Sequence, residues 1–181
     1  MSATARKHDE PLEPEGVASI GSTEGTEYAT RGARGLRSAR PHLRMVSPLR
    51  PERFVTQKIV KVAGRIAAGS DEKLELGNVS VVRDWGWAPE YVEAMWLLLQ
   101  QERPDDFVIA TGQSVSLREF VAMTFEHFGL DWRGHVVEND SLFRPLDIQE
   151  SRANPAKAAH VLGWTARTRV RDVIALLADT R

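Results

Sequence analysis

The chain has 181 residues, 24 Lys and Arg against 25 Asp and Glu, and no cysteine. A formal net charge of −1 gives no global pull toward nucleic acid, and the lack of cysteine excludes disulfide and thiolate chemistry. No apolar run is long enough to span a bilayer and no apolar leader opens the chain, so a soluble cytoplasmic protein of one domain with an appendage is expected.

Residues 1–30 are acidic, bear Gly, Ser and Thr, and show no periodicity. Such a stretch buries too little apolar surface to offset the entropy of ordering. Residues 31–53 are basic, with Arg31, Arg34, Arg37 and Arg40 spaced by three and Arg44, Arg50 and Arg53 following. Two readings stand for this arm: a solvated tail, or a grip on phosphate backbones. The tail is favoured, because no stacking aromatics are interleaved as single-strand binders need.

From residue 54 the pattern changes. FVTQKIVKVAGRIAA repeats apolar residues at Phe54, Val55, Ile59, Val62, Ala63 and Ile66, which predicts an amphipathic helix ended by Gly69. Thr56 and Lys58 read as first-turn polar surface. Residues 74–100, LELGNVSVVRDWGWAPEYVEAMWLLLQ, read as strand, tight link, strand, stop and helix. Gly77-Asn78 is expected to turn at positive φ, leaving a free Asn. Arg83 closes the second strand. Pro89 suits the first turn of a helix whose face is Tyr91, Val92, Met95, Trp96 and Leu99.

Further on, FVIA at 107–110 reads as a buried strand, apolar on both faces. Ser116 and Glu119 fit a capping box for a helix that stops at Gly129. Residues 131–137 are a further strand candidate. Asn154-Pro155 opens a helix ending at Gly163, Trp164 reads as core, and a last helix carries Val170, Val173, Ile174 and Leu177 on one face. His127, His135 and His160 lack paired spacing, so no metal site is expected.

RDWGWAPEYVEAMWLLLQ, preceded by LELGN and followed by DDFVIATG and SLREFV, closely resembles the GDP-mannose 4,6-dehydratases, extended short-chain dehydrogenase/reductases. The resemblance runs from about Ser47 to the C-terminus. It implies an α/β fold that is incomplete: the substrate-binding part (47–181) without most of the Rossmann domain, behind a disordered tail unrelated to the family (1–46). Where the family carries Asn-His-Glu before Ser47-Pro48, this chain has Arg44-Met45-Val46. The family's glycine-rich turn and its Thr/Ser, Glu and Tyr-x-x-x-Lys set find no match; Tyr28 is followed four residues on by Gly32.

The resemblance also assigns residues. The helix start with Thr56 and Lys58 lies beside the guanine base in the family, and Asn78 and Arg83 belong to its substrate site. In Phe143-Arg144-Pro145-Leu146-Asp147 the Arg holds the diphosphate and the acid binds the ribose; Asp147 stands where the family has Glu, so its reach is shorter. Arg50 aligns with an NADP-contacting position. The implied ligand is GDP-mannose or GDP, with NADP in the intact, homo-oligomeric family and none expected on this chain. The family's reaction moves a hydride from sugar C4 to NADP, expels water across C5 and C6, and returns the hydride to C6. A truncated dehydratase that keeps only GDP-sugar recognition is therefore expected, with no catalytic residue of its own. The alternatives are an interaction or nucleic-acid-binding protein using the basic arm, and a non-functional remnant.

Overall fold

A computed structural model describes residues 45–103, 105–143 and 147–180, and upstream of these only the backbone of three strands. Those strands, β1 (Ser19–Thr23), β2 (Thr26–Thr30) and β3 (Arg37–Ser38), form an antiparallel ladder in the order β1-β2-β3. The disordered tail expected at 1–46 falls for the most part outside the described residues.

The elements that follow are β4 (Met45–Val46), α1 (Val55–Ala67), β5 (Leu74–Leu76), β6 (Val82–Asp84), β7 (Gly86–Trp87), α2 (Ala88–Leu99), β8 (Ser114–Ser116), α3 (Leu117–His127), β9 (Val136–Glu138), α4 (Ala156–Leu162) and α5 (Val170–Ala178). Short 3₁₀ turns occupy Trp132–Gly134 and Asp140–Leu142. Strands 74–76 and 82–84 do not form the hairpin that their spacing suggests. Instead β5 pairs in parallel with β9, and β6 pairs antiparallel with β8. Both partners come from far along the chain, which local pattern does not reveal.

Helix α1 buries Ile59, Val62, Ala63 and Ile66, a spacing of three, four and seven that keeps one stripe inward. It packs with α3 and α5 around a first core that includes Leu74, Trp85, Phe120, Phe125, Ile174 and Leu177. Trp85 and Phe120 meet at 5.5 Å between ring centroids, within the range of favourable tilted pairs. Thr56 is buried in the first turn of α1, not on the surface as its residue type suggests.

A second core joins α2 and α4 with Phe107, Ile109, Trp164 and Ala166. Helix α2 forms where expected, but its buried face is Tyr91, Ala94, Met95 and Leu98, while Val92 and Trp96 stand exposed. The inward stripe is thus rotated from the sequence expectation, because small Ala94 allows close approach where Trp96 does not fit. Residues 107–110 join no strand among the described residues; Phe107, Ile109 and Ala110 are buried and Val108 is exposed. Three helix ends follow simple local chemistry. Ser116 accepts the Glu119 backbone N–H while Glu119 accepts that of Ser116, and Gly129 and Gly163 take positive φ of 72° and 63° after α3 and α4.

Candidate functional site

The parallel strands β5 and β9 end together, and their continuations build the site. Past β5 comes Gly77-Asn78; past β9 comes the turn 139–142. Gly77 is not at positive φ. It is glycine for another reason: a Cβ there would stand 2.6 Å from the Leu142 carbonyl oxygen. The two loops therefore cross in backbone contact. Asn139 N–H bonds to Leu76 O at 2.7 Å, and the Asn139 side-chain amide donates to Glu75 Oε2 at 3.1 Å.

Asn78 is not free. Its Oδ1 accepts the Ser80 backbone N–H at 2.9 Å, an Asx turn that orients the side chain. Its Nδ2 donates to Gln149 Oε1 at 3.1 Å. Lys58, one turn into α1, reaches across to donate to Glu75 O at 2.6 Å, which brings its ammonium beside the same strand end.

Arg83, on β6, is 2% exposed. Its Nη1 donates to Val82 O at 2.8 Å and Gln149 O at 3.3 Å, and its Nη2 donates to Ile148 O. Asp147 Oδ1 faces it at 3.6 Å, an ion pair rather than a close hydrogen bond. Burial pulls the guanidinium below its ordinary value, and the Asp147 carboxylate opposes that pull. Arg83 thus serves the 147–149 segment as a clamp. Val82 N–H to Gln149 O at 2.8 Å and Ser151 N–H to Val82 O at 3.0 Å lay that segment along β6.

The structure so links Asn78, Arg83 and Asp147 through the Gln149 segment, while Lys58 bonds to the Glu75 carbonyl on β5. Arg144 lies outside the described residues. Thr56 sits buried in the first turn of α1. Arg50 lies over the Phe54 ring, 4.7 Å from its centroid.

Two residues of the neighbourhood escape sequence reasoning. Gln149 resembles any polar loop residue, and nothing local marks it. Asp84 is buried behind Arg83; its Oδ1 accepts the Thr111 N–H at 3.1 Å and the Tyr91 hydroxyl at 3.4 Å. Its Oδ2 has no partner among the described residues, and burial raises its carboxyl above the usual range.

A family model described as GDP-mannose 4,6 dehydratase matches residues 36–177. The chain belongs to the GDP-mannose 4,6-dehydratase family. The match begins upstream of Ser47, where the motifs first become recognisable. GDP-mannose 4,6 dehydratase 1 of Arabidopsis thaliana is 44% identical over 133 residues, which cover 74% of this chain and 37% of that protein. The Sinorhizobium fredii GDP-mannose 4,6-dehydratase is 42% identical over 144 residues, covering 70% of this chain and 41% of that one. The chain thus spans about two fifths of the relatives' length.

Among solved structures, RMD from Pseudomonas aeruginosa complexed with NADPH superposes with a TM-score of 0.68 at 19% identity, over 78% of this chain and 46% of that one. MoeE5 in complex with UDP-glucose and NAD gives 0.64 at 25% identity, over 75% and 44%. The shared architecture is that of the extended short-chain dehydrogenases.

The neighbours' dinucleotide invites a test of fit. A pyrophosphate cradle needs a glycine-rich turn between a strand and a helix N-terminus. Among the described residues the positive-φ glycines are Gly69, Gly112, Gly129 and Gly163. Three follow helices and Gly112 lies in the loop before β8, so none opens a helix. None of these glycines therefore forms such a cradle among the described residues. Nor is any described helix long and apolar enough to cross a membrane.

Proposed function

We propose that this segment recognises the nucleoside diphosphate of a GDP-sugar. The observation that carries the reading is Arg83. It is a buried guanidinium on β6, with its carboxylate partner at 3.6 Å. Its Nη groups are held by the carbonyls of Val82, Ile148 and Gln149, and an anion nearby would add to that balance, because opposite charge offsets the desolvation of a buried cation. Lys58 and Asn78 flank β5, and Asp147 takes the ribose. By the family's motif, Arg144 is the second guanidinium of the diphosphate clamp. Paired arginines suit a diphosphate because each donates several fixed hydrogen bonds and keeps its charge.

On this reading the natural ligand is GDP-mannose. The reaction served is the family's NADP-dependent internal redox and dehydration to GDP-4-dehydro-6-deoxymannose. The glycine-rich turn and the Tyr-x-x-x-Lys of the catalytic set do not occur in residues 1–181 in the family's arrangement. These 181 residues by themselves are a recognition unit without turnover.

Titration of GDP, GMP and ADP into the 181-residue chain tests this. GDP binds best, GMP more weakly, and ADP less than GDP. Hydrogen bonds to a charged group contribute about 1.5–3 kcal/mol, so Arg83→Met weakens GDP binding by roughly tenfold to a hundredfold. Equal binding of ADP and GDP, or an unchanged Arg83→Met variant, would overturn the reading and point to non-selective capture by the arginine-rich stretch.

A further inference from the structure

We propose that Gln149 is a positioning residue for nucleotide recognition, which holds Asn78 and Asp147 at a fixed separation. The inference rests on the reading of the site as one for a nucleoside diphosphate. Gln149 is solvent-exposed, and an exposed glutamine ordinarily leaves its amide to water. Here every polar group of the residue but its own N–H is engaged with the site. Its Oε1 accepts from Asn78 Nδ2 at 3.1 Å, and its Nε2 reaches Asp147 O at 3.4 Å. Its backbone carbonyl accepts from Val82 N–H at 2.8 Å and from Arg83 Nη1 at 3.3 Å.

The direction of these bonds is dictated step by step. The Ser80 backbone N–H can only donate, so it fixes Asn78 Oδ1 toward itself. Asn78 must then present its NH₂ to Gln149, and Gln149 must answer with Oε1. That leaves the Gln149 NH₂ for the Asp147 carbonyl. A single backbone N–H on the β5–β6 link thereby sets the orientation of two side-chain amides and tethers the segment that carries Asp147. Gly77 completes the arrangement, since its bare backbone lets the Leu142 carbonyl lie against it. Preorganised groups bind more tightly because less ordering remains to be done on association.

The test uses the whole 181-residue chain, with GDP, ADP and 2′,3′-dideoxy-GDP as probes, and the variants Gln149→Ala, Asn78→Ala and the double variant. In the unsubstituted protein GDP is preferred over ADP and over the dideoxy analogue, the latter through Asp147. Gln149→Ala weakens GDP about tenfold and levels GDP with the dideoxy analogue, while its urea midpoint stays that of the unsubstituted chain. Once Asn78 is alanine, removing Gln149 has little further effect, because the two act as one unit. Absence of GDP binding or of its preference over ADP in the unsubstituted protein overturns both the functional reading and this inference. Normal GDP recognition with a Gln149→Ala variant that keeps its affinity and ribose discrimination overturns the inference alone. So do additive losses in the double variant, a result that reads independently of any change in overall stability.

Discussion

Replacing Gly77 by alanine separates two reasons for a glycine. Gly77 has no positive φ, and at such a backbone the change ordinarily stabilises a protein by about 0.4–1 kcal/mol through the unfolded chain. Here the new methyl would stand 2.6 Å from the Leu142 oxygen and 2.9 Å from its carbonyl carbon. Ordinary C···O contacts begin near 3.3 Å, so the 139–142 turn must retreat by roughly 0.7 Å. Backbone, unlike a side-chain tip, has no rotamer to escape into. The turn is tied by Leu142 N–H to Asn139 O at 3.0 Å and by Asn139 N–H to Leu76 O at 2.7 Å. Weakening both bonds, at about 0.5–1.5 kcal/mol each, outweighs the entropic gain. The expected net loss is about 1 kcal/mol, read as a urea midpoint lower by roughly 0.3–1 M with an unchanged slope. GDP affinity should fall with it, because Asn78 moves with its neighbour. A midpoint that rises instead would refute the crossing of the two loops as the cause.

Asp84 predicts a pH signature. Burial raises its folded pKa above the unfolded value, so its stabilising contribution is complete below the unfolded value of about 3.9 and is lost as pH rises through the folded pKa. The stability of the unsubstituted chain minus that of Asp84→Asn should therefore fall as pH rises above about 4 in urea titrations; a flat or rising difference would contradict burial as the governing effect. Val92 and Trp96 are exposed one turn apart on α2, so the protein should bind a hydrophobic dye, and Trp96→Glu should reduce that binding with a stability change within about 0.5 kcal/mol. Unchanged dye fluorescence would place the apolar surface elsewhere.

What the sequence discloses here follows the range of the interaction. The Ser116–Glu119 box and the stops at Gly69, Gly129 and Gly163 depend on a few adjacent residues and are legible. The pairing of β5 with β9 and of β6 with β8 joins residues about 30–60 positions apart, and spacing alone suggested a hairpin. The site shows the same division. The family resemblance points to Thr56, Lys58, Asn78, Arg83, Arg144 and Asp147; of these, Asn78, Arg83 and Asp147 are linked through the Gln149 segment, Lys58 bonds to Glu75 O, Thr56 is buried, and Arg144 lies outside the described residues. Motifs gave no hint that Arg83 is buried under carbonyls of 148 and 149, or that Asn78 is tied to Gln149. Both facts arise from one segment crossing another late in the chain. The inward face of α2 was misjudged because periodicity weighs Trp96 as apolar, whereas packing between helices rewards the small Ala94.

The division of the interior into two clusters has a dynamic consequence. The candidate site stands on α1 and β5 of the first cluster, on β9, whose Val136 packs against it, and on β6, which lies between its Val81 and Trp85. The second cluster, around Tyr91 and Trp164, is attached through polar joints: Asp84 with Thr111, Arg169 Nη1 with Thr111 O at 2.8 Å, and Glu90 with Thr168. Directional joints of this kind break as a set when their geometry is lost, whereas apolar contacts yield gradually. The two halves should then open as separate cooperative units in native-state hydrogen exchange. Amides of α1 and β5 would keep their protection when those of α2 and α4 are released, so the candidate site would outlast the dissolution of its neighbour.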